Sequence, residues 1–347
     1  MLVVGVDAHK RTPTAVVVDG LGRQVGQRTV KALTADHLEL LRWAERLGAE
    51  RLWAVEDCRH VSRRLERDLL VAGERIVRVP PQLMAGARRQ VRAAGKSDPI
   101  DALAVARAAL REPDLPVAGL DGAAREVRLL VDHRDDLVGE RTRIINRLRW
   151  HLHELDPSWD PPAGSLDRYC TLDRIAVRLN QHDGTVARIA GDLTVRARAL
   201  TVDINRLERE ITALITPLAP TLLAVCGVGA LTAAKIVGEV ADVHRFRSKD
   251  AFARHTGTAP QPAWSGQSDR HRLSRGGNRQ LNAALHRVTI TQGRYHPDAV
   301  AYLARRRTGG DTKAEARRAL KRRLCDVIYR CLVADTALVD QTLATAA

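Results

Sequence analysis

Leu2-Val3-Val4-Gly5-Val6-Asp7 opens the chain, and the fold of the first hundred or so residues turns on how it is read. Five apolar residues that end on a carboxylate describe a buried strand delivering an acid to its tip, which is costly unless something cationic gathers it. Working outward, Thr14 to Val18 and Gln24 to Val30 read as two further strands, the second turn being Asp19-Gly20-Leu21-Gly22. A helix is expected from Asp36, as N-cap, to Leu47, stopped by Gly48. Leu52 to Val55 is another buried strand and also ends on an acid, Glu56. His60 to Val71 reads as a helix stopped by Gly73, and Arg75 to Val79 as a last strand closed by Pro80-Pro81. Asp98 and Asp101 then open a helix after the turn Gly95-Lys96-Ser97.

Three strands, helix, strand, helix, strand, helix is the element order of an α/β RNase H/RuvC-like domain, a mixed sheet flanked by helices. In that order the first strand lies centrally, so Asp7 falls in the middle of the sheet with Glu56 beside it. Asp98 and Asp101 are three residues apart, on one face of a helical turn. Together the four suit two Mg²⁺ or Mn²⁺ ions about 4 Å apart, which prefer hard oxygen ligands and clamp the attacking and leaving oxygens of a phosphodiester. Taken singly, each has a plainer role. Asp98 resembles an N-cap before Pro99, and Asp101 favours the helix dipole. Glu56 has Arg59 or Arg63 as ion-pair partners, and Asp57 as a rival ligand.

Composition sets the partners. Against 41 acids stand 56 Lys and Arg, a net charge of +15 over 347 residues, which fits a polyanion. Most of the cations are Arg, suited to bidentate phosphate and guanine contacts. Aromatics at 3% argue against an extended stacking platform for single-stranded bases. The cysteines Cys58, Cys170, Cys226, Cys325 and Cys331 form no CxxC pair, so neither a zinc site nor a disulfide framework is expected. Without a signal pattern or a spanning apolar stretch, the chain reads as cytoplasmic.

Three regions follow in order: 1–115 as the RuvC-like domain, 116–216 as a helical coiled-coil linker, and 217–347 as a mainly α C-terminal domain. In the middle, Leu193, Ala197, Leu200, Ile204, Leu207, Ile211 and Leu214 form a heptad seam, matched by Leu130, Leu137 and Ile144 on an earlier helix. A break with Pro157, Pro161, Pro162 and Gly164 separates the two, which pair within the chain or with another subunit. The third region holds Cys226-Gly227-Val228-Gly229-Ala230, a helix–hairpin–helix-like element whose Gly227 and Gly229 let backbone N–H groups approach a DNA phosphate. Gly257 to Gly266 reads as a turn-rich loop. Arg270, Arg272, Arg275 and Arg279 follow as phosphate contacts. Arg305-Arg306-Arg307 and Lys321-Arg322-Arg323 read as solvated helix faces.

Gly5-Val6-Asp7-Ala8-His9-Lys10, Val55-Glu56 and Lys96-Ser97-Asp98-Pro99-Ile100-Asp101-Ala102 resemble the DEDD transposases of the IS-one-ten insertion-sequence family, which includes Piv-type DNA invertases. Gly227-Val228-Gly229, Gly257-Thr258-Ala259-Pro260, Ser265-Gly266 and Arg275-Gly276-Gly277-Asn278 extend the resemblance over nearly the whole chain. It implies a site-specific DNA recombinase with Asp7, Glu56, Asp98 and Asp101 as metal ligands and a nucleophilic serine, placed at Ser265, with Ser274 as its rival. It further implies a covalent phosphoserine intermediate, donor and target duplexes, and a structured bridge RNA as guide. His255, His271 and the metal site are the candidates for general base. Acids and serine fall in different regions, so the seam is expected to assemble an oligomer in which they meet in trans. A Piv-like invertase without guide RNA and a RuvC-type Holliday-junction nuclease remain the alternatives.

Overall fold

Val-rich strands form the five-stranded sheet expected at the N-terminus: β1 (Leu2–Asp7), β2 (Thr14–Val18), β3 (Gln24–Thr29), β4 (Arg51–Glu56) and β5 (Ile76–Val79), in the order β3-β2-β1-β4-β5. The computed structural model describes the chain except residues 57–60, 81–82, 85–96, 113–114, 120–121, 266–267, 273–275 and 347, and except the side chains of 263–265, 268–270, 340 and 342–346. β1 runs antiparallel to β2 and parallel to β4, and β4 runs parallel to β5. This is the mixed RuvC-type sheet with β1 at its centre.

Both faces are covered. Helices α1 (Thr34–Leu47) and α2 (Arg63–Val71) pack on one, where Val4, Val6, Trp53 and Val55 meet Leu40, Leu41, Leu65 and Leu69. Helix α3 (Asp98–Arg111) packs on the other, against Val3, Ala54 and Val77. Its buried side chains are nearly all small: Ala102, Ala104, Val105, Ala106, Ala108 and Ala109. That choice lets the helix lie close, and Gly5 completes it. A Cβ at Gly5 would stand 2.3 Å from the Ala102 carbonyl oxygen and 2.4 Å from the Ala106 nitrogen. Helix starts differ in detail from expectation. Leu33 rather than Asp36 is the N-cap of α1, leaving Asp36 in its first turn, and α2 begins at Arg63 rather than His60.

The remainder is largely helical. Helices α4 (Ala123–Leu155) and α6 (Thr185–Leu218) pair with each other, with α5 (Tyr169–Leu179) between them in sequence. Arg134 reaches Glu208 at 2.6 Å and Arg196 reaches Glu140 at 3.5 Å, so the pair is antiparallel. Leu193, Ala197, Ile204, Leu207 and Ile211 are buried. Of the two partners expected for the seam, the structure uses the one within the chain. No helix among the described residues is long and apolar enough to cross a membrane.

The units do not follow the three consecutive regions. One takes residues 1–121, 242–286 and 301–329; the other takes 122–241, 287–300 and 330–347. The reason lies in the helical hairpin, which returns the chain to where it began. Past α7 (Pro220–Leu223), helix α8 (Ala230–Val240) docks on the start of α4. There the buried Lys235 ammonium bonds Asp135 at 2.7 Å and Asp132 at 3.3 Å, and Gly238 lies against the Arg128 backbone. Residues 219–241 therefore pack with the middle helices.

Replacing Gly5 tests the close approach. Gly5→Ala must displace the α3 backbone, and we expect a loss of at least 1–3 kcal/mol, roughly the cost of overpacking a core, measured by urea unfolding. An unchanged midpoint would show that α3 does not need the glycine.

Candidate active site

Each of the four acids is placed by a separate local rule. In the β1–β4 ladder Val6 is opposite Val55, so Asp7 and Glu56 stand one step further on, at the C-terminal ends of adjacent parallel strands. Side chains alternate along a strand. Asp7 therefore shares the face of Val3 and Gly5, and Glu56 that of Leu52 and Ala54, which is the face α3 covers. At the start of α3 the N-cap is Ser97, in extended conformation, so Asp98 is the first helical residue and not the cap expected. Asp98 is exposed, whereas Asp101 is buried and immediately precedes Ala102, the residue that touches Gly5.

Electrostatics ties the four together. The Asp7 carboxyl is raised from 3.8 to about 6, first by burial, then by the negative charges of Asp101, Asp98 and Glu56; only His9 opposes them. Such mutual repulsion marks a cluster short of positive charge. Among the described residues no three His, Cys, Asp or Glu side chains close into a group that could hold a metal ion. The acids thus lie within electrostatic range of Asp7 without closing into a ligand set. The donor set, four hard oxygen acids, fits Mg²⁺ or Mn²⁺, which Asp7, Glu56, Asp98 and Asp101 would hold. Asp57 and Arg59 lie outside the described residues, and Arg63 approaches Glu66 at 4.0 Å.

The serine candidate sits on a hairpin rather than in the loop expected. Strand β6 (Gln261–Ser265) pairs antiparallel with β7 (Ser268–Arg272), Ser265 opposite Ser268 and Gln261 opposite Arg272. The Ser265 backbone thus ends β6; its side chain, like that of Arg270, is outside the described set, as are Ser274 and Arg275 entirely. Polar and proline-rich sequence hid the strands. The Gly266-Gln267 pair between them was the available signal, being of the Gly-first composition favoured in two-residue hairpins.

Two glycines anchor the foot of the hairpin. Gly257 and Gly277, both with positive φ, cross so tightly that a Cβ on Gly257 would lie 2.5 Å from the Gly276 oxygen, and one on Gly277 2.6 Å from the Gly257 nitrogen. Asn278 fixes the crossing: its N–H donates at 2.6 Å to the carbonyl of His255, the last residue of α9 (Lys249–His255). Its side chain accepts from Gln280 and Leu281 at the start of α10 (Arg279–Tyr295). Burial, then the nearby Arg245 and Arg78, lower the His255 imidazole to about 3. It is neutral at pH 7 and too weakly basic for easy proton abstraction. His271, the other candidate, is exposed on β7. Arg272 and Arg279 are exposed as well.

Carboxylates and hairpin belong to the same compact unit, although more than 150 residues separate Asp101 from Ser265 in sequence. In the other unit, the Gly227 element is pinned to α10, where Gln292 donates to the Cys226 carbonyl at 2.9 Å; Gly229 leads into α8 with open space before it.

Comparison with known proteins divides the chain differently, each match crossing a boundary between the units. A transposase family model, DEDD_Tnp_IS110, matches residues 4–157, and a second, the transposase IS116/IS110/IS902 family, matches residues 219–304. The chain belongs to the IS110 family of insertion-sequence transposases. The first match spans all four acids, and the second spans Gly227, Gly229, Ser265 and the arginine series. This IS110-family chain is 27% identical to an uncharacterized 42 kDa protein of insertion element IS900 from Mycobacterium paratuberculosis, with 99% of this chain and 98% of that protein covered. It is 28% identical to an uncharacterized 44.8 kDa protein of insertion element IS116 from Streptomyces clavuligerus, covering 95% and 94%. Among solved structures, Thermus thermophilus RuvC in complex with a Holliday junction substrate aligns with 34% of the transposase and 99% of RuvC, at 17% identity and a TM-score of 0.27.

Asp7 gives a prediction with a definite sign. Between pH 4 and 6 the folded state holds a proton on Asp7 that the unfolded chain has lost, so stability falls as pH rises through that window. Asp7→Asn removes the penalty. Because the group is only half-buried, solvent screening leaves on the order of 1 kcal/mol of the shift as stability. The metal-free variant should melt a few degrees above wild type at pH 7 and equal to it below pH 4. Mg²⁺ should raise the wild-type melting temperature more than that of the variant. Equal response to Mg²⁺ would remove Asp7 from the metal site.

Proposed function

We propose that this transposase is a metal-dependent DNA recombinase that cuts and rejoins strands through a covalent bond to Ser265. The observation that carries the reading is the convergence of four acids from two strand ends and one helical turn, in a chain of net charge +15. A basic surface attracts duplex DNA, and a local acidic cluster within it has use only if cations bridge it to phosphate. When bound, Mg²⁺ or Mn²⁺ supplies charge neutralisation and polarises the phosphate oxygens.

The chain's own part is positioning. The Ser265 hydroxyl attacks phosphorus, an Oγ–P bond forms as a strand P–O bond breaks, and the departing oxygen takes a proton. Attack by a strand-end hydroxyl then reverses the sequence and frees the serine. The ester conserves bond energy, which suits joining better than hydrolysis does. Arg270, Arg272, Arg275 and Arg279 follow the hairpin as phosphate contacts, and Gly227-Val228-Gly229 presents a helix–hairpin–helix-like element to a second stretch of backbone. Two duplexes require several cleavages, hence more than one protomer. Further seams along the coiled-coil-like α4–α6 pair are the expected assembly surface. A structured bridge RNA is the guide in this reading.

The test is strand exchange on radiolabelled donor and target duplexes. Asp7→Asn and Ser265→Ala should each reduce joined product on the order of 10³-fold or more, as loss of a metal ligand or nucleophile does. Only chains with serine at 265 should carry labelled DNA through denaturation. If Ser265→Ala still cuts strands at the normal rate, the chain is a RuvC-type nuclease. If Ser274→Ala alone abolishes the adduct, the nucleophile is Ser274. Sequencing of RNA retained by the purified protein separates the guided enzyme from a Piv-like invertase: a transcript from DNA flanking the gene is expected.

A further inference from the structure

A cavity of about 550 Å³ opens beside the foot of the β6–β7 hairpin, between Arg272 and helices α11 (Pro297–Thr308) and α12 (Lys313–Ala346). Its lining is strongly cationic, and the cations are of two kinds. Four are already engaged. Arg306 bonds Asp311 at 2.5 Å, Arg318 faces Glu315 at 3.9 Å, Arg322 pairs with Asp250 and Asp326, and Arg323 lies 4.6 Å from the centre of the Tyr302 ring. Lys321 and Arg272 differ: among the described residues neither is paired with a carboxylate.

Lys321 is the decisive one. It is buried, 6% exposed, and its ammonium donates to the neutral amide oxygen of Asn282 at 2.9 Å. Burial, with Arg318 adding repulsion, lowers its affinity for a proton. A buried ammonium without a counter-ion is costly, and proteins keep one where an anion completes it. The reading of Lys321-Arg322-Arg323 as a solvated face is therefore corrected at its first residue: helical spacing turns Lys321 inward while Arg323 stays exposed.

The cavity is larger than inorganic phosphate needs and falls in the range of roughly 300–1,000 Å³ typical of small-molecule sites. Besides cations it offers an aromatic ring, Tyr302, with a guanidinium over it, a surface on which a base stacks. No carboxylate is left to read a ribose 2′-hydroxyl. Asp311 is taken by Arg306, and Glu315 accepts from the Thr312 N–H at 2.8 Å and from its hydroxyl at 2.5 Å. Arg272 stands opposite Gln261, at the other end of the hairpin from Ser265, which lies four residues further along β6, or about 13 Å at 3.3 Å per residue. That is roughly four stacked nucleotides at 3.4 Å each.

We propose that this cavity holds one unstacked deoxynucleotide of the strand engaged at the hairpin, its phosphate on Lys321 and Arg272 and its base against Tyr302 and Arg323. The proposal rests on the reading of the chain as a DNA recombinase, and adds a site that grips the strand at a fixed distance from the cleaved phosphate.

The probe is 2-aminopurine deoxyribonucleoside monophosphate, whose fluorescence is quenched on stacking, titrated into the full-length protein. Saturable quenching is expected, weakened at least tenfold by Tyr302→Ala and by Arg272→Ala and preserved in Tyr302→Phe. Inorganic phosphate should compete at least tenfold more weakly than the deoxynucleotide, and the ribonucleotide should bind no more tightly. Asp7→Asn and Ser265→Ala should bind the probe normally, so loss of strand joining and loss of nucleotide binding are read separately. No quenching at millimolar probe, quenching unaffected by either alanine variant, competition by phosphate at equal strength, or a tenfold preference for the ribonucleotide would each overturn the proposal.

Discussion

The contact between Gly5 and the backbone of α3 is the constraint on which the site depends. With no side chain between them, strand and helix approach so closely that a methyl group would overlap the Ala102 carbonyl. Everything acidic is arranged around that point. Asp7 is two residues along the same strand face, Asp101 is one residue before the contact on the helix, and Asp98 lies three residues further back. Glu56 enters from the neighbouring strand by register alone. Four acids from three separate segments come within electrostatic range of one another where one missing Cβ and a row of alanines let strand and helix approach. The small residues of α3 add little hydrophobic burial each, and their value is in the distance they permit.

Charge organises the chain at two scales. Over the whole molecule cations exceed acids by fifteen, whereas at the sheet centre burial, and then the charges of Asp101, Asp98 and Glu56, lift Asp7 to about 6. Folding such a cluster carries a stability cost, and functional sites are where proteins retain costs of this kind. The converse arrangement occurs at Lys321, a buried cation without a carboxylate. One site lacks positive charge, the other lacks negative charge.

Much of this was legible in the sequence, for reasons that can be stated. Apolar runs ending in Asp7 and Glu56 fixed two strand ends, and the three-residue spacing of Asp98 and Asp101 fixed a helical face, because both signals are local. What was not legible was tertiary. Gly5 reads as an ordinary strand glycine until α3 is laid over it. The heptad of α6 announces a seam but not its partner, since any complementary helix satisfies it. Gln261 to Arg272, with Pro262 and several polar residues, has too little β-branched content to read as paired strands. Lys321 hides in a run of three cations, and only the orientation of α12 shows that one of them turns inward.

The discontinuous make-up of the first unit has a consequence for synthesis. Its sheet and four acids are complete once residue 121 has left the ribosome, but the hairpin and the helix carrying Lys321 arrive only with residues 242–286 and 301–329. At roughly 5–20 residues per second, that leaves about 7–30 s in which the acidic half exists without Ser265. A chain cut short in that interval by a frameshift or a nick keeps the sheet and its four acids and lacks Ser265 and Lys321. The unit is therefore whole only when nearly all of the polypeptide has been made.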